Sequence, residues 1–122
     1  MAALPNDVLI VEDDPIIALD LEETILKLGV KRVRAATNVA RALEMIADHV
    51  PDLALLDVGL RDGNSFGVAR QLAILKIPFA FVTGYGSPDL PKDFSDRPRL
   101  PKPCSTLDLL LVLQRLGGAE GG

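Results

Sequence analysis

Five residues stand out for the chemistry their types permit: Glu12, Asp13, Asp57, Thr83 and Lys102. Three are carboxylates, and carboxylates gathered in one crevice resist ionising together unless a cation compensates. Oxygen ligands without Cys or His suit a hard ion such as Mg²⁺ or Mn²⁺, which keeps several waters and shares its shell with a phosphate. A carboxylate beside such a metal can attack a phosphoryl donor and form an acyl phosphate. The transferred oxygens then require positive charge and a hydroxyl nearby, and Lys102 and Thr83 are of those types. Gly84, without a side chain, would leave room for a phosphoryl group beside Thr83.

Such residues act together only if the elements between them fold so as to gather them. Val8, Leu9, Ile10 and Val11 form a continuous apolar run rich in β-branched residues, the pattern of a strand covered on both faces. Asp14 and Pro15 read as an N-cap and first helical position. Ile17, Leu21, Ile25 and Leu28 follow at one-face helical spacing until Gly29 closes the helix. Val33 to Ala36 is a weaker second strand. Asn38 caps a second helix whose apolar face carries Val39, Leu43, Ile46 and Ala47, and Pro51 stops it. Leu53 to Leu56 is the third strand, and a Gly-containing loop from Gly59 to Asn64 leads into a third helix through Ala69, Leu72 and Leu75. Pro78 to Val82 is the fourth strand. From Ser87 to Pro101 four prolines leave room for at most a short helix, then a brief fifth strand about Arg99 and Leu100. Ser105 and Asp108 make a capping box for a last helix from Thr106 to Leu116.

This alternation predicts one α/β domain, a doubly wound, mostly parallel sheet with helices on both faces. It would occupy residues 1–122, with a core over about 7–116 and a flexible tail at 117–122. In such sheets ligands bind beyond the carboxyl ends of the strands. Glu12 and Asp13 follow the first strand, Asp57 the third, Thr83 ends the fourth and Lys102 follows the fifth. Folding therefore brings all five to one edge.

Composition narrows the function classes. A formal net charge of −4, from 17 acidic against 13 basic residues, offers no basic footprint for nucleic acid. Cys104 is the single cysteine, so no internal disulfide forms, and one thiol with one histidine makes no metal site. With 48% hydrophobic but only 4% aromatic residues, the core is aliphatic. There is neither a signal-peptide pattern nor an apolar run of membrane-spanning length, and a cytoplasmic location is expected. His49 reads as a solvated surface residue and Cys104 as a small buried hydrophobe. The run Leu109 to Leu113 makes the last helix apolar round much of its circumference, either because it is deeply tucked or because part of it meets a partner or a dimer mate.

The motifs Val11-Glu12-Asp13-Asp14-Pro15, Leu55-Leu56-Asp57, Val82-Thr83-Gly84 and Lys102-Pro103 resemble, in order and spacing, those of the response regulator receiver domain. The resemblance spans roughly Val8 to Leu116. It implies a flavodoxin-like sheet of five parallel strands, order 2-1-3-4-5, with Asp57 as phosphoacceptor for a histidine kinase or histidine phosphotransfer protein. It further implies Mg²⁺ on Glu12, Asp13, Asp57 and the backbone carbonyl of Gly59, phosphoryl contacts from Thr83 and Lys102, and often a cis Lys102–Pro103 bond. With no output domain in these residues, signalling would run through protein contact, possible homodimers included, or the chain would serve as a phosphate shuttle or sink.

Departures from the family pattern bear on the switch. Arg99 stands three residues before the lysine, where many receivers carry an inward-swinging aromatic, and a guanidinium does not bury there without a partner. Tyr85 is a substitute switch candidate. The proline-broken segment, with Phe81-Val82-Thr83-Gly84-Tyr85, resembles an atypical single-domain subgroup. Arg61 stands where relatives often have Pro, a difference expected to matter little. Each motif alone also admits a plain reading, with Glu12-Asp13-Asp14 a solvated turn, Asp57 a loop former and Lys102 a surface lysine. Two other functions compete with the phosphoacceptor. One is a phosphorylation-independent interaction module of the same fold. The other is an aspartyl phosphatase, which would need a second Asp at the position Gly59 holds.

Overall fold

The short apolar runs form strands and the amphipathic runs form helices in the expected alternation. A computed structural model describes residues 4–61, 63–84 and 89–118. The order is β1 (Asp7–Val11), α1 (Pro15–Leu28), β2 (Arg32–Ala36), α2 (Val39–Asp48), β3 (Leu53–Asp57), a two-plus-two residue hairpin of β4 (Gly59–Leu60) and β5 (Gly63–Asn64), α3 (Phe66–Ile74), β6 (Phe79–Thr83), a 3₁₀ turn (Lys92–Phe94), β7 (Arg99–Pro101) and α4 (Thr106–Gly118).

The five long-range strands pair in parallel in the order β2-β1-β3-β6-β7, which is the 2-1-3-4-5 order of a doubly wound sheet. The order reverses between β1 and β3, so the carboxyl ends of these two strands flank the crevice. Alternating side chains divide the core into two layers. Leu9, Val11, Leu56, Phe79 and Phe81 pack with Ala42 and Ile46 of α2 and Leu72 of α3. Val8, Ile10, Leu53, Leu55, Ala80, Val82 and Leu100 pack with Leu21 and Ile25 of α1 and Leu109 and Leu113 of α4.

The helix ends follow their caps. Asp14 accepts the N–H of Ile16 at 2.9 Å, and Gly29 adopts φ 117°, which an L side chain rarely tolerates. Asn38 Oδ1 accepts the N–H of Arg41 at 2.8 Å, and Ser105 Oγ that of Asp108 at 3.0 Å. On β7, Pro101 supplies no N–H, which blunts this sheet edge against further strand pairing.

Several expectations are corrected by packing. In α2 the buried residues are Ala42 and Ile46 with half-buried Met45, while Leu43 and Ala47 are exposed. The small Ala42 lets the helix approach the sheet, turning Leu43 to the flank. Ile17 is exposed and Ala18 buried in α1, for the same reason. Leu75 lies past the end of α3 and is exposed, whereas Val68 joins Ala69 and Leu72 inside. The loop after Asp57 contains the β4–β5 hairpin, and α4 runs two residues beyond Leu116. Cys104 is half-buried at the edge of the second layer.

The proline-broken segment attaches through Phe94, which is buried. Its ring joins Phe66, Phe79 and Phe81 at centroid distances of 5.7–6.4 Å, so all four phenylalanines of the chain form one cluster. The Arg97 guanidinium lies 4.2 Å from the Phe79 ring centroid. Arg99 is exposed, with Nη2 3.5 Å from the carbonyl of Ser95. Tyr85 lies outside the described residues. Among the described residues no helix is long and apolar enough to cross a membrane.

Candidate functional site

Strand parity explains why the chemistry gathers. Glu12 continues the row of Val8 and Ile10, Asp57 that of Leu53 and Leu55, and Lys102 that of Leu100, all on the layer shared with α1 and α4. Each is held in ladder geometry at or just past its strand end. Glu12 N–H donates to the carbonyl of Ala36 at 3.0 Å, Val58 N–H to Val82 at 3.2 Å, and Lys102 N–H to Thr83 at 2.9 Å. Three side chains distant in sequence therefore rise from one face of the sheet at one edge.

There Lys102 Nζ donates to Asp57 Oδ2 at 2.7 Å. It also stands 2.8 Å from Glu12 Oε1, an ion contact whose angle is too poor for a directed hydrogen bond. Glu12 Oε2 accepts the N–H of Asp14 at 3.1 Å. Asp13, half-buried at the rim, completes the group, and one oxygen from each of Glu12, Asp13 and Asp57 lies within 4.8 Å of the others. The Lys102–Pro103 bond is cis. A Cβ added to Gly84 would sit 3.4 Å from Cδ of Lys102, so a side chain there would press on the lysine stem.

Thr83 fits less simply. Its carbonyl holds Lys102 in the ladder, but alternation places Thr83 in the row of Phe79 and Phe81, the layer opposite Asp57. The carbonyl of Gly59 belongs to the β4–β5 hairpin, directly after the Asp57 strand. Arg61, at the hairpin turn, donates its main-chain N–H to Asp13 Oδ2 at 2.8 Å and brings its Nε to 3.7 Å of the same oxygen. Arg61 thus touches one of the candidate metal ligands, a contact its local sequence does not announce. The glycines at 59 and 63 were the sequence signal for a turn, but nothing local says which carboxylate the turn meets.

Electrostatics favour a cation here. Burial pushes the Glu12 carboxyl up to about 7, with a further upward push from Asp57, and the opposing contributions of Lys102 and the Asp14 N–H do not cancel it. Lys102 is raised in turn: burial alone would lower it, but Asp57 and Glu12 outweigh burial. One ammonium and one solvent-exposed guanidinium thus leave three carboxylates undercompensated, and an all-oxygen donor set fits a hard divalent ion. Glu12 makes a testable contribution to stability. Between its ordinary pKa of 4.5 and about 7 the folded chain holds a proton that the unfolded chain has lost, so folding is favoured at low pH and less so as pH rises through that window. Thermal melts without metal should show wild type losing Tm relative to Glu12→Gln on going from about pH 5 to about pH 8. Parallel curves for the two proteins would show that Glu12 ionises normally.

The match to known proteins decides the family. The model of the response regulator receiver domain covers residues 8–111. The chain belongs to the response regulator receiver family. It is a signalling domain rather than a metabolic enzyme. It is 32% identical over 117 residues to the transcriptional regulatory protein PdtaR of Mycobacterium tuberculosis, an alignment covering 93% of this chain and 57% of PdtaR. The chain thus spans little more than half the length of that curated relative. The solution structure of SdrG from Sphingomonas melonis Fr1 superposes with a TM-score of 0.82 at 41% identity, covering 95% of this chain and 98% of SdrG. The BeF₃-activated conformation of SdrG from Pseudomonas melonis Fr1 gives a TM-score of 0.75 at 42% identity, covering 93% and 99%.

A second polar cluster, at the opposite end of the sheet, went unread in the sequence. The Asp7 carboxylate is buried and receives Arg34 through Nε and Nη2, both at 3.3 Å. His49 Nε2 lies 3.1 Å from Asp7 Oδ2, so this histidine is a half-exposed partner of a buried carboxylate rather than a free surface group. Arg34 also donates to the carbonyls of Met45 at 3.0 Å and His49 at 2.7 Å, closing the C-terminus of α2.

Proposed function

We propose that this receiver domain accepts a phosphoryl group on Asp57 from a phosphohistidine of a histidine kinase or histidine phosphotransfer protein. The observation carrying this reading is the contact of Lys102 Nζ with Asp57 Oδ2 at 2.7 Å beside two further carboxylates. An oxygen of Asp57 attacks phosphorus, the O–P bond forms as the donor P–N bond breaks, and the electron pair leaves with the imidazole. Lys102 holds the acceptor carboxylate in place and remains beside it to balance the dianionic phosphoryl group. Glu12, Asp13, Asp57 and the Gly59 carbonyl would hold Mg²⁺, which when bound neutralises charge on the transferred oxygens. Thr83, at the end of β6, would supply a hydroxyl to the phosphoryl oxygens by turning out of the row of Phe79 and Phe81.

The modified carboxylate shifts a conformational equilibrium, and the response is read by protein contact. That SdrG has a BeF₃-activated conformation supports the reading that a domain of this kind has a distinct activated state. The test is intact-protein mass after incubation with a small phosphodonor such as acetyl phosphate. One phosphate adduct is expected, dependent on Mg²⁺, suppressed by chelator and mapping to the peptide that contains Asp57. No adduct from small donors or from candidate kinases would leave a phosphorylation-independent interaction module as the better reading.

A further inference from the structure

We infer that Arg61 is a positioning residue of the metal site, and that its two halves act in opposite senses on Mg²⁺ affinity. The inference rests on the phosphoacceptor reading above, because it concerns the ion that reading requires. Both halves reach one atom, Oδ2 of Asp13: the main-chain N–H at 2.8 Å and the guanidinium Nε at 3.7 Å.

The N–H is the constructive half. It ties down one oxygen of the Asp13 carboxylate, which is only 18% exposed, and leaves Oδ1 outside that bond. It also ties the hairpin carrying the Gly59 carbonyl to the loop carrying Glu12 and Asp13. Two sources of metal ligands on different elements are thereby held at a set separation before any ion arrives.

The guanidinium is the competing half. It places a permanent positive charge beside a carboxylate that a divalent ion must share, and like charges oppose each other. Its side chain is 83% exposed, so the opposition is screened by solvent and salt and is modest. Arg61 therefore weakens ion binding without blocking it, and does so more at low ionic strength.

The test isolates the guanidinium, since both substitutions keep the main-chain N–H, and it is made at an exposed side chain where folding is not at risk. Mg²⁺ is titrated into the full chain and followed by amide chemical shifts of residues 12–14 and 57–61, comparing wild type with Arg61→Gln and Arg61→Lys. Arg61→Gln keeps the N–H and removes the charge, and should bind Mg²⁺ about threefold more tightly at low salt, the gain shrinking as salt rises. Arg61→Lys keeps the charge and should stay close to wild type. Unchanged or weaker binding by Arg61→Gln, with wild type still binding Mg²⁺, overturns the role of Arg61 and leaves the phosphoacceptor reading standing. Equal tightening by Arg61→Lys also overturns it, since charge would not be the cause. A wild type that shows no Mg²⁺-dependent shifts overturns both.

Discussion

Asp57→Asn is expected to abolish phosphoryl acceptance completely, while leaving the fold intact. The carboxamide keeps the size and hydrogen-bonding capacity of the side chain but is no nucleophile toward phosphorus. The residue sits at the end of β3, where its backbone pairs with Val82 whichever side chain it carries. The change also removes one of the two acidic partners of Lys102 and the charge that adds to the upward push of burial on Glu12. Intact-mass analysis with phosphodonor and Mg²⁺ should show no adduct on the variant, at a loss of at least about 100-fold in labelling rate. A urea midpoint near that of wild type would exclude unfolding as the cause. Labelling that persists in Asp57→Asn at the wild-type rate would move the acceptor to another residue and sink the assignment.

The second large effect lies at the other end of the sheet and concerns stability rather than chemistry. Arg34→Ala removes two bonds to the buried Asp7 carboxylate and two to the last carbonyls around α2. The arginine side chain is 11% exposed and that of Asp7 7%, so the orphaned carboxylate has little access to water. Breaking a buried pair from one side costs about 3–5 kcal/mol. The His49 contact at 3.1 Å, itself half-exposed, offsets part of this, placing the expectation near the lower bound, about 3 kcal/mol. That is a large share of the ~5–15 kcal/mol that holds a typical domain together. Urea denaturation should show a clearly lower midpoint with an unchanged slope. Removing the charge as well, in Asp7→Asn with Arg34→Met, should recover part of the loss, because no ion is then left buried alone. A single variant within about 0.5 kcal/mol of wild type would mean that water reaches Asp7 and the pair is ornamental.

These two sites differ in how much of each could be read in advance. Asp57 and Glu12 were legible because each stands at the end of an apolar run with the pattern of a buried strand, and Lys102 because it follows the brief strand about Arg99 and Leu100. Parallel strands of one sheet bring like ends to one edge, so the gathering of the site followed from local pattern and topology, while the strand order rested on the family resemblance. The caps Asp14, Asn38 and Ser105 were legible for a similar reason, since a helix start leaves donors that only a few side chains satisfy.

What the sequence could not decide is direction. Arg34 lies on an edge strand, where a charged residue ordinarily faces water. It turns inward because Asp7 on β1 and the end of α2 converge on it from 27 and 11 residues away. In α2 the apolar residues allowed two faces, and contact with the sheet selected the one bearing Ala42 over that bearing Leu43. Arg61 reaches Asp13 across 48 residues. The local sequence determined which elements form, which ends of them carry reactive groups, and that those ends meet. Tertiary structure alone decided which charge faces which, because a side chain's partner is set by how separate elements pack, and no periodicity within one element encodes that.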